Sequence, residues 1–171
     1  MTSEASAGES FDHLNLRPAV RALMVDPDDR VLLVRFEFND VGTVWATPGG
    51  GIERGEETLE ALRRELAEEV GLYDPDIGPC VWIRTHTNAM GSWDGQRDEV
   101  YLVRCDAFDP TPMMTWEQLR AEGLHEIRWW TLAELAVATN LFAPRELVSV
   151  ATSIIHGGPP SEPHVLRHPP D

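Results

Sequence analysis

Cysteine is nearly missing from this sequence. Cys80 and Cys105 are the only two in 171 residues. They form no CxxC pair and no disulfide framework, so reduced thiols are expected. Basic residues are also scarce, 14 against 29 acidic ones, for a formal net charge of −15. That balance repels a nucleic-acid duplex and an anionic membrane surface and argues against either as the main partner. A phosphate-bearing ligand would then need an added cation, and a divalent metal is the usual one. No apolar run is long enough to span a bilayer. The opening "MTSEASAGESFDH" is too polar and acidic for a signal or transit peptide, so a cytoplasmic protein is expected.

What is present fits one globular domain, with 42% hydrophobic residues and room for a real core. Residues 1–13 are expected to be a flexible tail, 14–156 the folded domain, and the proline- and glycine-rich 157–171 a loose surface extension. Within the domain, "AVRALMV" (19–25) and "RVLLVRF" (30–36) read as strands joined at the turn-forming "DPDD". "VWATPGGG" (44–51) ends a short strand in a glycine-rich loop. A helix follows from Glu56 or Glu57 to Val70, with Gly71 as its stop. "CVWIRTHT" (80–87) and "DEVYLVRCD" (98–106) read as two strands joined by "NAMGSWDGQR". A helical turn near 116–121 and a short strand "EIRWWT" (126–131) come next. Helices over 132–139 and 144–155 close the pattern, with Pro144 suited to a first turn. The alternation predicts an α/β fold, a mixed sheet between helices in an α/β/α sandwich.

The helix "ETLEALRRELAEEVGL" carries the chemistry. Leu59, Leu62, Leu66 and Val70 recur at three- and four-residue spacing as one apolar stripe. Glu65, Glu68 and Glu69 stand at i, i+3 and i+4 and converge on a neighbouring face. Their mutual repulsion weakens the helix unless a divalent cation neutralises it, and hard oxygen ligands suit Mg²⁺ or Mn²⁺. Arg64 reaches Glu60 and Glu68 at i±4. A plain solvated face can look the same. The glycines of "PGGG" just upstream favour the metal site, because they let backbone approach a ligand closely.

From Gly50 to Leu72 the sequence reads GGIERGEETLEALRRELAEEVGL. This resembles the Nudix box, and Gly50, Glu56, Arg64, Glu65, Leu66, Glu68, Glu69, Gly71 and Leu72 fill its fixed positions without a departure. The closing "RWWTLAEL" is also similar to that family. The resemblance implies metal-dependent hydrolysis of a pyrophosphate bond in a nucleoside diphosphate linked to a further group X. It implies Glu65 and Glu69 as metal ligands, Glu68 as a ligand to the same or a second ion, and the Gly49 carbonyl as a further one. Arg64 would orient Glu65, and Glu56 would support the loop–helix junction or a second metal. The general base in relatives is a glutamate of the box or of a downstream loop. Here the downstream candidates are Glu99, Glu117, Glu122 and Glu126, with Glu122 nearest the family's position.

Trp93 lies in the polar loop "MGSWDGQR", where its ring could stack on a base or anchor the loop. One of Trp129 and Trp130 is expected in the core, and Trp82 and Trp116 are expected to pack. His86 and His125 have no partner at ligand spacing. The group X is not written in the box. "RTHTNA" lacks the proline of ADP-ribose hydrolases and the tyrosine of diadenosine-polyphosphate hydrolases, and neither an "SQPW" motif nor a coenzyme A signature occurs. A nucleoside triphosphate or related small nucleotide is the expected substrate, with an ADP-ribose or nucleotide-sugar pyrophosphatase as the alternative. A Nudix-fold nucleotide-binding module without catalysis is the alternative of another class. Relatives occur as monomers and homodimers, and both states stay open.

Overall fold

The computed structural model describes residues 10–168. The chain runs β1 (Leu16–Val25), β2 (Val31–Phe38), β3 (Gly42–Ala46), β4 (Gly49–Gly51) and α1 (Thr58–Val70). It continues through β5 (Ile77–His86), β6 (Gly95–Arg104), α2 (Trp116–Ala121), β7 (Leu124–Trp130) and α3 (Leu132–Val137). Then come β8 (Phe142–Ala143), α4 (Leu147–Gly157) and β9 (His164–His168). The strands form one sheet in the order β8-β3-β2-β1-β6-β5-β9, with β4 paired to β1 and β7 to β2. β1 runs parallel to β6 and β5 parallel to β9, whereas β1–β2, β2–β3 and β5–β6 are antiparallel. This is the expected mixed sheet.

Both faces of the sheet are covered, which is why β1 and β2 read as nearly continuous apolar runs. Val20, Ala22, Met24, Leu32 and Val34 pack against Leu62, Leu66 and Val70 of α1 and Leu119 of α2. The alternate residues Leu23, Val25, Val31 and Leu33 pack against Leu135 of α3 and Leu147, Ala151 and Ile154 of α4. A fully buried leucine or isoleucine of this kind contributes about 1.5–3 kcal/mol. No helix among the described residues is long and apolar enough to cross a membrane.

The start and stop of α1 follow from the local sequence. The Glu57 backbone N–H donates to the Glu60 carboxylate at 3.3 Å, which serves one of the orphan donors at the helix entry. Gly71 takes the left-handed conformation, φ 75°, and its N–H donates back to the Leu66 carbonyl. A side chain at Gly71 would also collide with the Thr111 backbone.

Several expected features differ. Leu59 is 37% exposed, and Ala61 takes its place in the buried stripe because α1 is rotated to press a small residue against the sheet. Trp116 is 40% exposed, lying at the start of α2 beneath the Arg120 guanidinium. The tryptophan pair divides across its strand as expected: Trp130 is in one core, and Trp129 borders the other. Pro144 precedes α4, whose cap residue is Glu146. The glycines 49–51 form strand β4, because their backbone pairs with Ala19–Arg21 of β1.

β1 and β6 each begin three residues before the expected strands at 19 and 98, since parallel pairing starts from Leu16↔Gly95. The proline-rich extension is not loose throughout: His164–His168 pairs with β5, giving the exposed backbone of that strand a partner. Of the expected N-terminal tail, residues 1–9 lie outside the described residues.

Candidate active site

Helix α1 presses Leu62, Leu66 and Val70 into the core, and this orientation turns Glu65 and Glu69 inward beside them. They are 8% and 4% exposed, while Glu68, on the flank of the same face, keeps 29% of its side chain exposed. Against this face lies the turn into β4. The Ala22 N–H donates to the Pro48 carbonyl at 2.9 Å, and the Gly49 N–H donates to Glu69 Oε2 at 3.0 Å. A methyl group on Gly50 would lie 2.6 Å from Glu65 Oε1. Gly50 leaves room for the Glu65 carboxylate, and Gly49, at φ 143°, sits directly on the Val20–Arg21 backbone of β1.

Arg64 gathers the remaining acids. Its Nε and Nη2 donate to the two oxygens of Glu56 at 2.7 and 2.9 Å. Nη1 reaches Glu65 Oε1 at 2.9 Å and Glu68 Oε2 at 3.3 Å. Nη2 also donates to the Gly51 carbonyl at 3.1 Å, which fastens the loop to the helix. The guanidinium holds the Glu56 carboxyl down at about 2. Burial pushes Glu65 up against the pull of Arg64. Burial, then the neighbouring Glu65 charge, carries Glu69 up to about 8 against the Gly49 N–H and Arg21. Two buried acids this close resist carrying two charges without a cation.

Glu122 caps the end of α2 and is exposed, yet its charge acts on both Glu65 and Glu69. The other downstream candidates are engaged elsewhere or stand apart. Glu99 takes bonds from Arg97 and Tyr101, Glu126 pairs with Arg35, and Glu117 stands in the first turn of α2.

Trp93 is half-buried in a turn closed by reciprocal bonds between the backbones of Met90 and Trp93. The turn is anchored to the start of the domain, where the Asn15 N–H donates to Asp94 Oδ2 at 2.8 Å. Gly95 pairs with Leu16 and Gly51 with Ala19. The turn therefore leaves the sheet at the same end of β1 as the glycine loop, roughly 10 Å further along at ~3.3 Å per residue.

Residues 15–150 match the family model of the NUDIX domain. The chain belongs to the Nudix family. Among its relatives, the RNA pyrophosphohydrolase of Helicobacter pylori is 37% identical over 101 residues, 54% of this chain and 65% of the relative. The matched part thus spans less than two thirds of that relative's length. The nucleoside triphosphatase NudI of Escherichia coli is 45% identical over 64 residues, 34% of this chain and 43% of the relative. A Nudix hydrolase structure from Nitrosomonas europaea superposes with a TM-score of 0.65 at 17% identity, covering 90% of this chain and 80% of that one. It shares the fold.

The donor set of this Nudix domain fits a hard divalent ion: clustered carboxylate oxygens against a backbone that only glycine can form. As the side chains stand, no three His, Cys, Asp or Glu groups among the described residues meet at a metal ion's distance. Glu65 and Glu68 turn to Arg64, and Glu69 turns to Gly49.

Sequence reading missed one part of the site altogether. Arg21, on β1, donates from Nε to Asp98 Oδ1 at 2.9 Å and from Nη1 to the Thr47 carbonyl at 3.0 Å. Burial opposes its charge, but Asp98, Glu69 and Glu65 outweigh burial and raise its pKa. The available signal was a lone arginine inside the apolar run "AVRALMV".

Proposed function

We propose that the protein is a metal-dependent pyrophosphohydrolase that cleaves nucleoside triphosphates or closely related small nucleotides. The observation that carries this reading is the buried Glu65–Glu69 pair held against the Gly49–Gly50 backbone. Two acids, one of them pushed up to about 8, are costly to keep there unless a cation uses them. Glu65, Glu68, Glu69 and the Gly49 carbonyl would hold Mg²⁺ or Mn²⁺, and Glu56 would brace Arg64 or take part in a second site. When bound, the ion neutralises charge on the phosphate oxygens and lowers the pKa of the attacking water.

The chain's own residues do the rest. Arg64 orients Glu65 and locks the loop to the helix. Glu122, exposed and with its charge acting on the pair, accepts the proton as a water oxygen bonds to phosphorus and the bridging P–O bond breaks. The group that leaves, pyrophosphate or the nucleoside monophosphate according to which phosphorus is attacked, takes the electron pair. Trp93, in the turn that leaves the sheet at the same end of β1, would offer a base-stacking face. The similarity to a nucleoside triphosphatase over 64 residues supports the substrate class. The net charge of −15 favours a small nucleotide over a long polyanion. A cytoplasmic monomer or homodimer is consistent with this role.

The test is a panel of nucleoside triphosphates, ADP-ribose, nucleotide sugars and a 5′-triphosphorylated RNA with Mg²⁺, scored by products. Nucleoside monophosphate with pyrophosphate from a triphosphate is the expected outcome. Turnover confined to ADP-ribose or sugar nucleotides contradicts the substrate class. Tight binding of every nucleotide with no turnover supports a binding module instead.

A further inference from the structure

Arg21 stands in an unusual place. It is in the middle of a core strand, its side chain is 18% exposed, and its partner Asp98 is 2% exposed. Asp98 Oδ1 also accepts from Gln96 Nε2 at 2.8 Å, and Gln96 Oε1 accepts from Arg17 Nη1 at 3.1 Å. The Asp98 carboxylate is therefore fixed, and Arg21 is fixed on it. The other arm of the guanidinium holds the carbonyl of Thr47, itself 1% exposed.

Two residues beyond Thr47 is Gly49, which pairs with Arg21 across β1 and β4. Gly49 has φ 143°, and a methyl group there would lie 2.2 Å from the Val20 carbonyl oxygen, 2.6 Å from Arg21 Cα and 2.8 Å from Arg21 Cγ. The β1 backbone and the base of the arginine stem are thus the floor on which the glycine rests, and the guanidinium holds the chain just before it. The same Gly49 donates its N–H to Glu69. A continuous set of contacts runs from Asp98 through Arg21 and the loop to a carboxylate of α1.

Charge and geometry predict opposite effects here. A guanidinium whose field reaches Glu65 and Glu69 repels a cation at those carboxylates, so as a bare charge it weakens metal binding. As a clamp, it keeps the loop and Glu69 in place and strengthens it. We propose that Arg21, held by Asp98, is a positioning residue that fixes the Gly49–Gly50 loop against Glu69, and that its net effect is to tighten divalent metal binding. The metal-binding part rests on the function proposed above; the positioning of the loop does not. Arginine suits the task because its planar fork serves two acceptors at fixed angles, whereas an ammonium is a single point. All 14 basic residues of the chain are arginine.

The experiment compares wild type, Arg21→Lys and Arg21→Gln by Mn²⁺ titration calorimetry, and by amide hydrogen exchange over residues 47–51 in EDTA. Lysine keeps the charge and loses the fork. The clamp predicts at least tenfold weaker Mn²⁺ binding in Arg21→Lys, and exchange at Gly49 and Gly50 at least tenfold faster than in wild type. A bare charge predicts an unchanged Arg21→Lys and an Arg21→Gln that binds Mn²⁺ more tightly, and that result overturns the proposal. Because Arg21→Lys carries the only lysine, a single lysine signal in isotope-labelled protein reports whether it folds. Should it fail to fold, Asp98→Ala, which removes the acceptor of Arg21 Nε and leaves the Arg21 and loop backbones untouched, must show the same two effects; exchange at wild-type rates there overturns the proposal. A wild type that binds no Mn²⁺ refutes the metal-dependent function, while the exchange comparison still decides the role of Arg21.

Discussion

The Gly49 N–H donates to Glu69 Oε2 at 3.0 Å across 20 residues of sequence. This bond joins the glycine loop to the acidic helix and holds a 4%-exposed carboxylate one helical turn from the 8%-exposed Glu65. Glutamine at position 69 can still accept from Gly49 through its amide oxygen, but it cannot supply a charged ligand. Glu69→Gln is therefore expected to fold with an unchanged or higher Tm and to lose on the order of 10²–10³ in kcat, the scale for removing one electrostatic group at a reacting centre. Wild-type kcat in this variant would show that Glu69 has no part in the chemistry.

The same burial sets a pH dependence. The Glu69 carboxyl is raised from 4.5 to about 8. Its contribution to stability is thus fully present below 4.5 and is lost as pH rises through about 8. A bound metal displaces the proton and restores the lost stability. The Tm gap between Mg²⁺ and EDTA should therefore be larger at about pH 8.5 than at about pH 6, and Glu69→Gln should reduce that difference. Thermal melts across this range check it, and a pH-independent gap in the wild type counts against a protonated Glu69.

Gly50→Ala tests how closely loop and helix must fit. The new methyl would lie 2.6 Å from Glu65 Oε1 and 2.7 Å from its Cδ, so the end of a movable side chain must give way. The fold is expected to survive with about 1–3 kcal/mol lost. Activity should fall at least about tenfold through displacement of Glu65. Tm and kcat measured together decide this, and an unaltered kcat would mean that Glu65 is not held in a working position.

Trp93 tests recognition of the base. Stacking on an indole is worth ~1–3 kcal/mol, roughly tenfold or more in affinity. Trp93→Ala should raise KM for nucleotides and leave kcat nearly unchanged, because the stack is the same in ground and transition states. Unchanged kinetic constants alongside a lowered Tm would make Trp93 an anchor for the turn that Asn15 ties down.

How much of this was legible in the sequence depended on the range of the interaction. Helix α1 and its acids were readable because i, i+3 and i+4 spacing fixes which side chains share a face, and Gly71 marks the end. Leu59 was misplaced because the stripe could rotate by one position, and only packing against β1 and β2 decided in favour of Ala61. The glycine run was read as a loop because strand β4 exists only by pairing with Ala19–Arg21. The edge strand His164–His168 was hidden for the same reason, inside a segment rich in proline. Arg21 and Asp98 lie 77 residues apart, and no local pattern joins them. Glu122 was singled out by its position before "RWW", but its action on Glu65 and Glu69 depends on tertiary folding, in which the loop before α2 bonds to α1 through Met113 and Met114.

The most direct test of the central claim is product release from a nucleoside triphosphate by the purified protein as Mg²⁺ is titrated in after EDTA treatment. The account predicts no release in EDTA, with monophosphate and pyrophosphate appearing in step with added metal. Full turnover in EDTA by protein shown to hold no trapped metal would contradict it.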